Sequence, residues 1–309
     1  MIETFLQPLD HGITLSCRAA GERGRPVLLF LHGFPEGAFV WDALLEHFAR
    51  PEYGGYRCVA PNLRGYERSS VPTDVQAYRP KHLVQDIAAL ARIEADADAP
   101  LAALIAHDWG GAVAWNFANQ LPARLRKLII LNSPHPGTFL RELKISAPQQ
   151  TSSAYMNALV LPTAEAGLAA NDFAALWPFF SAEGPKGPWP TWLTPAVQDQ
   201  YRDVWSYGLT GACNYYRASP LRPPQPHDPA ALAVELPHSM LTVNVPTHVI
   251  WGMGDWALPP TLLDGLEHYV PQLTVHKVAS AGHWIVHEQP EHVQQLIARS
   301  LGAPGPLQT

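Results

Sequence analysis

The chain has 309 residues, 47% of them hydrophobic and 16% charged, with a formal net charge of -6. That balance supports a sizeable core and excludes a disordered chain. The charges are interspersed, with no basic run, which excludes nucleic acid or an anionic membrane surface as the natural partner.

In chain order, "MIETFLQPLDHG" carries acidic residues and no apolar h-region, and no later apolar run is long enough to span a bilayer. We therefore expect no signal peptide, no membrane span and a cytoplasmic location. "ITLSC" predicts an early strand, and "PVLLFLHG" (26–33) is an apolar run ending in a glycine turn. "FVWDALLEHFA" (39–49) has helical spacing. "YRCVAPNL" (56–63) predicts a strand and "HLVQDIAALARIEA" (82–95) a helix. "LAALIAHD" (101–108), "GGAVAWNFANQL" (110–121) and "LRKLIILNSP" (125–134) repeat strand, helix, strand. Continuous apolar runs alternating with amphipathic helices indicate a mostly parallel α/β sheet covered on both faces.

From about residue 138 the strand-like runs vanish. Pro, Trp and Tyr accumulate in "LWPFF", "GPKGPWPTWLTP" and "YRDVWSYGLTGACNYYRA". The alternation returns with "PTHVIWGMGD" (246–255), "TLLDGLEHYV" (261–270), "LTVHKVASAGH" (273–283) and "PEHVQQLIARSL" (290–301). We expect one sheet domain, 1–137 with 236–309, interrupted by a mainly helical insertion at 138–235. "PLRPPQPHDP" is the expected return linker, and the final "GAPGPLQT" is expected to fray. Cys17, Cys58 and Cys213 lie far apart and suggest reduced thiols. The scattered histidines lack ligand spacing, so no metal and no cofactor is expected.

Ligands of parallel α/β sheets sit at the carboxyl ends of the strands. There the predicted strands deliver His32-Gly33-Phe34-Pro35, Asp108-Trp109, Asp255 and His283. Ala106-His107-Asp108-Trp109-Gly110 places small residues two before and two after its apex, as a sharp strand-to-helix turn needs. A carboxylate there is a nucleophile at neutral pH without a base, since its ordinary pKa is about 3.9. Attack on an acyl group would give an anhydride. Attack on an sp³ carbon bearing a strained oxygen or a halide gives an ester, which water must then hydrolyse. His283 is the candidate base for that step, and Asp255 its orienting acid. The backbone N–H groups of Phe34 and Trp109 are candidate oxyanion donors. Trp109, Phe34, Pro35 and Trp284 are expected to line the pocket. Asp108 could instead merely cap a helix, Asp255 could be a turn carboxylate, and His32 and His107 read as turn hydrogen-bonding residues.

"HGFPE" (32–36), "NLRGY" (62–66), "HDWGG" (107–111), "LNSP" (131–134), "GDWAL" (254–258) and "AGHW" (281–284) together resemble the α/β-hydrolase fold, and within it the soluble epoxide hydrolases. The resemblance implies an eight-stranded sheet, a helical cap and an Asp nucleophile, over residues 20–300. It departs from the family pattern at Ala106, usually Gly, and at Asn62, usually Asp; Asn132 stands where some relatives carry the triad acid. It also implies two cap tyrosines that bind the epoxide oxygen. Asn214-Tyr215-Tyr216-Arg217 points to Tyr216, and Tyr155 fits the first by its distance from Asp108. Tyr215 is the rival of Tyr216, but helical neighbours face different ways. Trp177, Trp189, Trp192 and Trp205 are expected mainly to hold cap to core.

The expected activity is conversion of a small apolar epoxide and water to a vicinal diol by a monomer or homodimer. A haloalkane dehalogenase shares His-Asp-Trp-Gly and is the alternative; it needs a second halide donor beside Trp109. Trp109 also stands where fluoroacetate dehalogenases often carry a basic residue. A non-catalytic binding protein on the same fold is the remaining reading.

Overall fold

The computed structural model describes residues 1–95, 99–181 and 187–302. Most of the terminal segment expected to fray, 303–309, and part of the Pro- and Trp-rich stretch, 184–186, lie outside the described residues. The strands are β1 (Glu3–Pro8), β2 (Thr14–Ala20), β3 (Val27–Leu31), β4 (Arg57–Pro61), β5 (Ala103–His107), β6 (Leu128–Leu131), β7 (Thr247–Gly252) and β8 (Leu273–Val278). They form one eight-stranded sheet in the order β1-β2-β4-β3-β5-β6-β7-β8. β2 runs antiparallel to β1 and β4, and every other pairing is parallel.

The central strands β3 to β6 are buried along their whole length, which is why they read as unbroken apolar runs. Successive side chains enter opposite layers. Leu29, Leu31, Leu104, Ala106 and Ile130 join one core; Leu28, Phe30, Ala103, Ile105 and Ile129 join the other. The first core is covered by α2 (Pro80–Glu94) and α3 (Asp108–Gln120), through Val84, Ile87, Leu90, Val113 and Phe117. The second is covered by α1 (Asp42–Ala49) and the terminal α11 (Pro290–Leu301), through Leu45, Phe48, Val293 and Ile297.

Between β6 and β7 the described residues contain no strand of the sheet. They contain α4 (Pro136–Ile145), α5 (Ala147–Ser152), α6 (Tyr155–Leu159), α7 (Ala164–Phe173), α8 (Pro195–Ser206) and α9 (Thr210–Ala218). α7 is broken near its end, where Asn171 and Asp172 adopt left-handed backbone. α10 (Ile285–Glu288) follows β8.

Two elements differ from expectation. β1 was not expected, because its exposed edge carries no apolar pattern: Leu6 is half exposed, and only pairing with β2 makes the segment a strand. The stretch 261–270 forms two 3₁₀ turns, Pro260–Leu263 and Leu266–His268, separated by Gly265 with φ 75°. That left-handed glycine interrupts what the spacing suggested was a helix.

The helical insertion is held to the sheet domain by aromatic donors and one bare backbone contact. The Trp205 indole donates to Pro35 O (2.6 Å), the Tyr215 hydroxyl to Arg64 O (3.0 Å), the Trp256 indole to Ser181 O (3.0 Å) and the Trp284 indole to Phe179 O (2.9 Å). Trp192 stacks on His287 at 4.2 Å. In α9, a Cβ on Gly211 would lie 2.1 Å from Gly65 Cα, so only glycine permits this approach of backbone to backbone. Of the four tryptophans expected to act as glue, Trp192 and Trp205 bridge to the sheet domain, Trp177 packs on Phe180 and Trp205, and Trp189 is half exposed.

Candidate active site

The pairings Leu31↔Ala106, Ala106↔Ile130 and Leu131↔Ile250 bring β3, β5, β6 and β7 to a common end. The residues that follow them therefore emerge at one carboxyl edge. Asp108 stands there with φ 48°, a left-handed conformation that Asp tolerates better than most residues. The turn is sterically tight on its helical side. A Cβ on Gly110 would lie 2.4 Å from Leu31 O and 2.6 Å from His32 O. Ala106, by contrast, is accommodated inside the sheet, fully buried. Ser133 Oγ donates to Asp108 O (2.6 Å) and ties the turn to the end of β6.

The Asp108 carboxylate does not cap α3. No side chain caps that helix, and Oδ1 instead accepts the backbone N–H of Phe34 at 2.8 Å. Oδ2 faces His283 Nε2 at 3.8 Å, too far for a direct hydrogen bond. The Trp109 N–H lies in the first turn of α3, where no intrahelical acceptor is available to it.

His283 Nδ1 meets Asp255 Oδ2 at 2.7 Å. Asp255 is buried and saturated with donors. Its Oδ1 accepts the N–H groups of Ala257 (2.9 Å) and Leu258 (2.8 Å), and its Oδ2 also accepts Asn132 Nδ2 (2.7 Å). Asn132 in turn accepts the Gly252 N–H (2.8 Å). This position after β6 thus holds the acid from the side rather than supplying one. Burial opposes charge on the His283 imidazole, but Asp255, aided by Asp108 and Glu36, raises its pKa from 6.5 to about 9.

Tyr155 and Tyr216 both face the cavity that holds Asp108, their rings 6.2 Å apart and nearly perpendicular. Burial and the nearby Asp108 charge push both phenols above their ordinary range, so both keep their protons. Tyr215 turns the other way, its hydroxyl on Arg64 O. The cavity, about 80 Å³, is otherwise bounded by groups such as Phe139, Met156, Leu221 and Leu258.

Of the expected pocket residues, Trp109 lines this cavity. Phe34 turns its ring edge-on to Phe179 and Tyr216. Pro35 is buried beneath Trp205, whose indole it accepts. Trp284 packs on Phe180 with its indole committed to Phe179 O.

The histidines before the two turns also differ from one another. His32 makes the expected local bonds, Nδ1 to Gly33 O (2.9 Å) and Nε2 to the Leu63 N–H (3.0 Å). Burial lowers its pKa to about 4. His107 reaches much further, to Glu36 Oε2 (3.0 Å) and to the backbone carbonyl of His283 (2.9 Å). Both of its ring nitrogens thus lie within hydrogen-bond distance of oxygen. Glu36, fully buried, also accepts His287 Nε2 (2.9 Å) and the Tyr201 hydroxyl (3.2 Å) of α8. Burial opposes its ionisation, yet these histidines hold it charged, below the usual carboxylate range. Sequence reasoning passed over Glu36, although a charged residue inside "HGFPE" between buried neighbours was the available signal.

The alpha/beta hydrolase fold family matches residues 26–290. The chain is 35% identical to the AB hydrolase superfamily protein YfhM of Bacillus subtilis, over 94% of this chain and 95% of that protein. It is 32% identical to human Epoxide hydrolase 4, over 95% of this chain and 77% of that one. A crystal structure of Bacillus megaterium epoxide hydrolase with an inhibitor superposes with a TM-score of 0.85 at 29% identity, covering 96% of this chain and all of that one. With its sheet order, its turn at Asp108 and this match across most of its length, the chain belongs to the alpha/beta hydrolase fold family, among relatives named epoxide hydrolases.

Proposed function

We propose that this protein is an epoxide hydrolase that opens an apolar epoxide through a covalent ester on Asp108. One observation carries the reading: a carboxylate at a strand-to-helix apex faces two protonated tyrosines across one apolar cavity. Asp108 Oδ2 attacks a ring carbon and the C–O bond breaks. Tyr155 and Tyr216 donate to the departing oxygen and deliver a proton to it. The ester then occupies Asp108, with Oδ1 on the Phe34 N–H. Water attacks Cγ, His283 Nε2 takes its proton, and Asp255 stabilises the imidazolium. The Phe34 and Trp109 N–H groups receive the negative charge that develops on the tetrahedral oxygen. The bond from Cγ to the alkyl oxygen breaks, the departing alkoxide takes the proton held by His283 and leaves as the diol, and the proton of the regenerated Asp108 carboxyl returns to the tyrosinate. Residues 138–235 act as the cap that carries both tyrosines and excludes bulk water.

A dehalogenase would need two hydrogen-bond donors on the departing halide. Among the residues lining the cavity, Trp109 is the only Trp or Asn. That favours the epoxide.

The test is one turnover in heavy-oxygen water with excess enzyme. The label should enter a peptide containing Asp108 while the first diol formed stays unlabelled. Label in the diol and none in that peptide would refute the covalent scheme. Bromide release from bromoalkanes without diol formation from any epoxide would replace the reading with dehalogenation.

A further inference from the structure

The cavity at Asp108 has a neighbour. A second hollow of about 30 Å³ lies on the other side of Trp109, Ala112 and Ser219, which form walls of both. Ala112 follows Asp108 by four residues in α3 and so lies one turn along the same helix face. It carries only a methyl at this shared wall. Ser219, just past α9, stands at the same junction. Beyond the junction the second hollow passes Leu83 and reaches half-exposed Asn116.

Size and polarity together restrict what fits. A cavity of about 150 Å³ lined by apolar side chains is of the size that benzene fills. The Asp108 cavity has about 80 Å³, roughly half of that. Asp108 is the only charged residue lining either hollow. A substituent bearing a phosphate or carboxylate would therefore be desolvated with no cationic partner, and an ammonium would find only the carboxylate that has to attack the ring.

We infer that the preferred substrates are small, uncharged epoxides with an unbranched aliphatic chain, which runs from the reacting ring past Ala112 and Ser219 toward Leu83. This rests on the epoxide-hydrolase reading above. A linear chain uses both hollows. An aryl ring or a quaternary carbon beside the epoxide meets the walls of the first before its far end reaches the second. Each methylene that enters should raise kcat/KM about fourfold, the equivalent of burying one CH₂.

The experiment measures kcat/KM for propylene oxide, 1,2-epoxybutane and 1,2-epoxyhexane, beside styrene oxide and 3,3-dimethyl-1,2-epoxybutane. We expect a rise along the linear series, with both bulky substrates below 1,2-epoxyhexane. Ala112→Leu should lower the ratio of 1,2-epoxyhexane to propylene oxide at least tenfold. Leu83→Ala, which lengthens the far hollow, should raise that ratio. Opposite movements of one ratio cannot come from partial misfolding. Styrene oxide turned over as well as 1,2-epoxyhexane, or a ratio indifferent to both substitutions, would overturn the size inference and leave the activity standing. Hydrolysis of no epoxide in the set would overturn the activity itself.

Discussion

Replacing Asp255 by Asn tests the triad most directly, because its consequences can be worked from the hydrogen bonds. The carboxylate accepts four donors: His283 Nδ1, Asn132 Nδ2 and the N–H groups of Ala257 and Leu258. An amide offers one oxygen and one NH₂ in the same space. If its oxygen stays on the two backbone donors, its NH₂ confronts both Asn132 Nδ2 and His283. The imidazole must then turn its unprotonated Nδ1 to that NH₂, and its hydrogen moves to Nε2, the nitrogen that should accept the water proton. The charge effect adds to this. Burial alone lowers the His283 pKa, and Asp255 is the strongest influence raising it to about 9. Without it burial loses its main opponent and the imidazole pKa falls, with up to about 3 kcal/mol of imidazolium stabilisation at stake. That is a loss of up to about 10²-fold in ester hydrolysis; the wrong tautomer carries it toward about 10⁴, as at other triads. Ester formation, which does not use His283 as a base, should slow far less. Intact-protein mass under excess substrate should show the chain heavier by one substrate, with a burst of epoxide loss followed by a slow steady state. Unaltered steady-state turnover without a trapped ester would refute the assignment of both residues.

Four further outcomes are expected. Tyr216→Phe or Tyr155→Phe should slow ester formation about 10²-fold, as loss of one donor to a developing oxyanion does; the double substitution should abolish it, and unchanged single-turnover rates would remove both from the site. Gly110→Ala must displace the backbone of β3 or α3, since its Cβ would meet two carbonyl oxygens; we expect about 1–3 kcal/mol of destabilisation by denaturant titration, and a wild-type midpoint would contradict the close approach. His32 and His135 are buried with pKa values lowered to about 4 by desolvation, so their stabilisation is complete above pH 6.5 and lost as pH falls through 4. They put up to about 3 kcal/mol each at stake, so an acid-unfolding curve followed by tryptophan fluorescence should move to lower pH in His135→Asn. His283 has the opposite sign: its raised pKa contributes stability below pH 6.5 that is lost as pH rises through 9. Asp255→Asn should therefore flatten the alkaline limb of the stability profile, and a limb of wild-type steepness would count against the pairing.

The central sheet was legible because strands buried on both faces write themselves as apolar runs, and the small-x-Asp-x-small turn marked the end of β5. β1 was illegible for the converse reason: four of its six residues are exposed, and its partner lies beyond a turn. The elements around Asp108 could be placed from the rule that α/β sites gather at strand ends, while their distances could not. The surroundings of Phe34, Pro35 and Trp284 could not be read in the same way. Sequence proximity to the chemistry suggested pocket lining, whereas the insertion covers these side chains with Phe179, Phe180 and Trp205. Asn132 shows the same limit. Its identity marked it as no acid, but only the fold reveals that its amide spans Gly252 and Asp255. The long-range bonds of His107 to Glu36 and His283 join segments 71 and 176 residues apart, a separation that no local pattern records.

The charges around His283 also suggest how the two proposed half-reactions are kept in order. In the resting protein Asp108, Asp255 and Glu36 all raise the His283 pKa, and the imidazole is charged at neutral pH. An imidazolium cannot take a proton from water, but it stabilises the carboxylate opposite, 3.8 Å away. Once Asp108 becomes an ester its charge is gone, and with it one of the influences holding the proton on His283. Burial, the largest influence in the other direction, remains. The imidazole thus becomes easier to deprotonate at the stage when a base is needed. On this account the pH dependence of ester hydrolysis in single turnovers should report a His283 pKa below the resting value of about 9. Asp108→Asn, which removes the same charge permanently, should lower the imidazole pKa seen by NMR in the resting protein. An imidazole that titrates alike in Asp108→Asn and the native chain would show that Asp108 does not govern the base, and the ordering would need another cause.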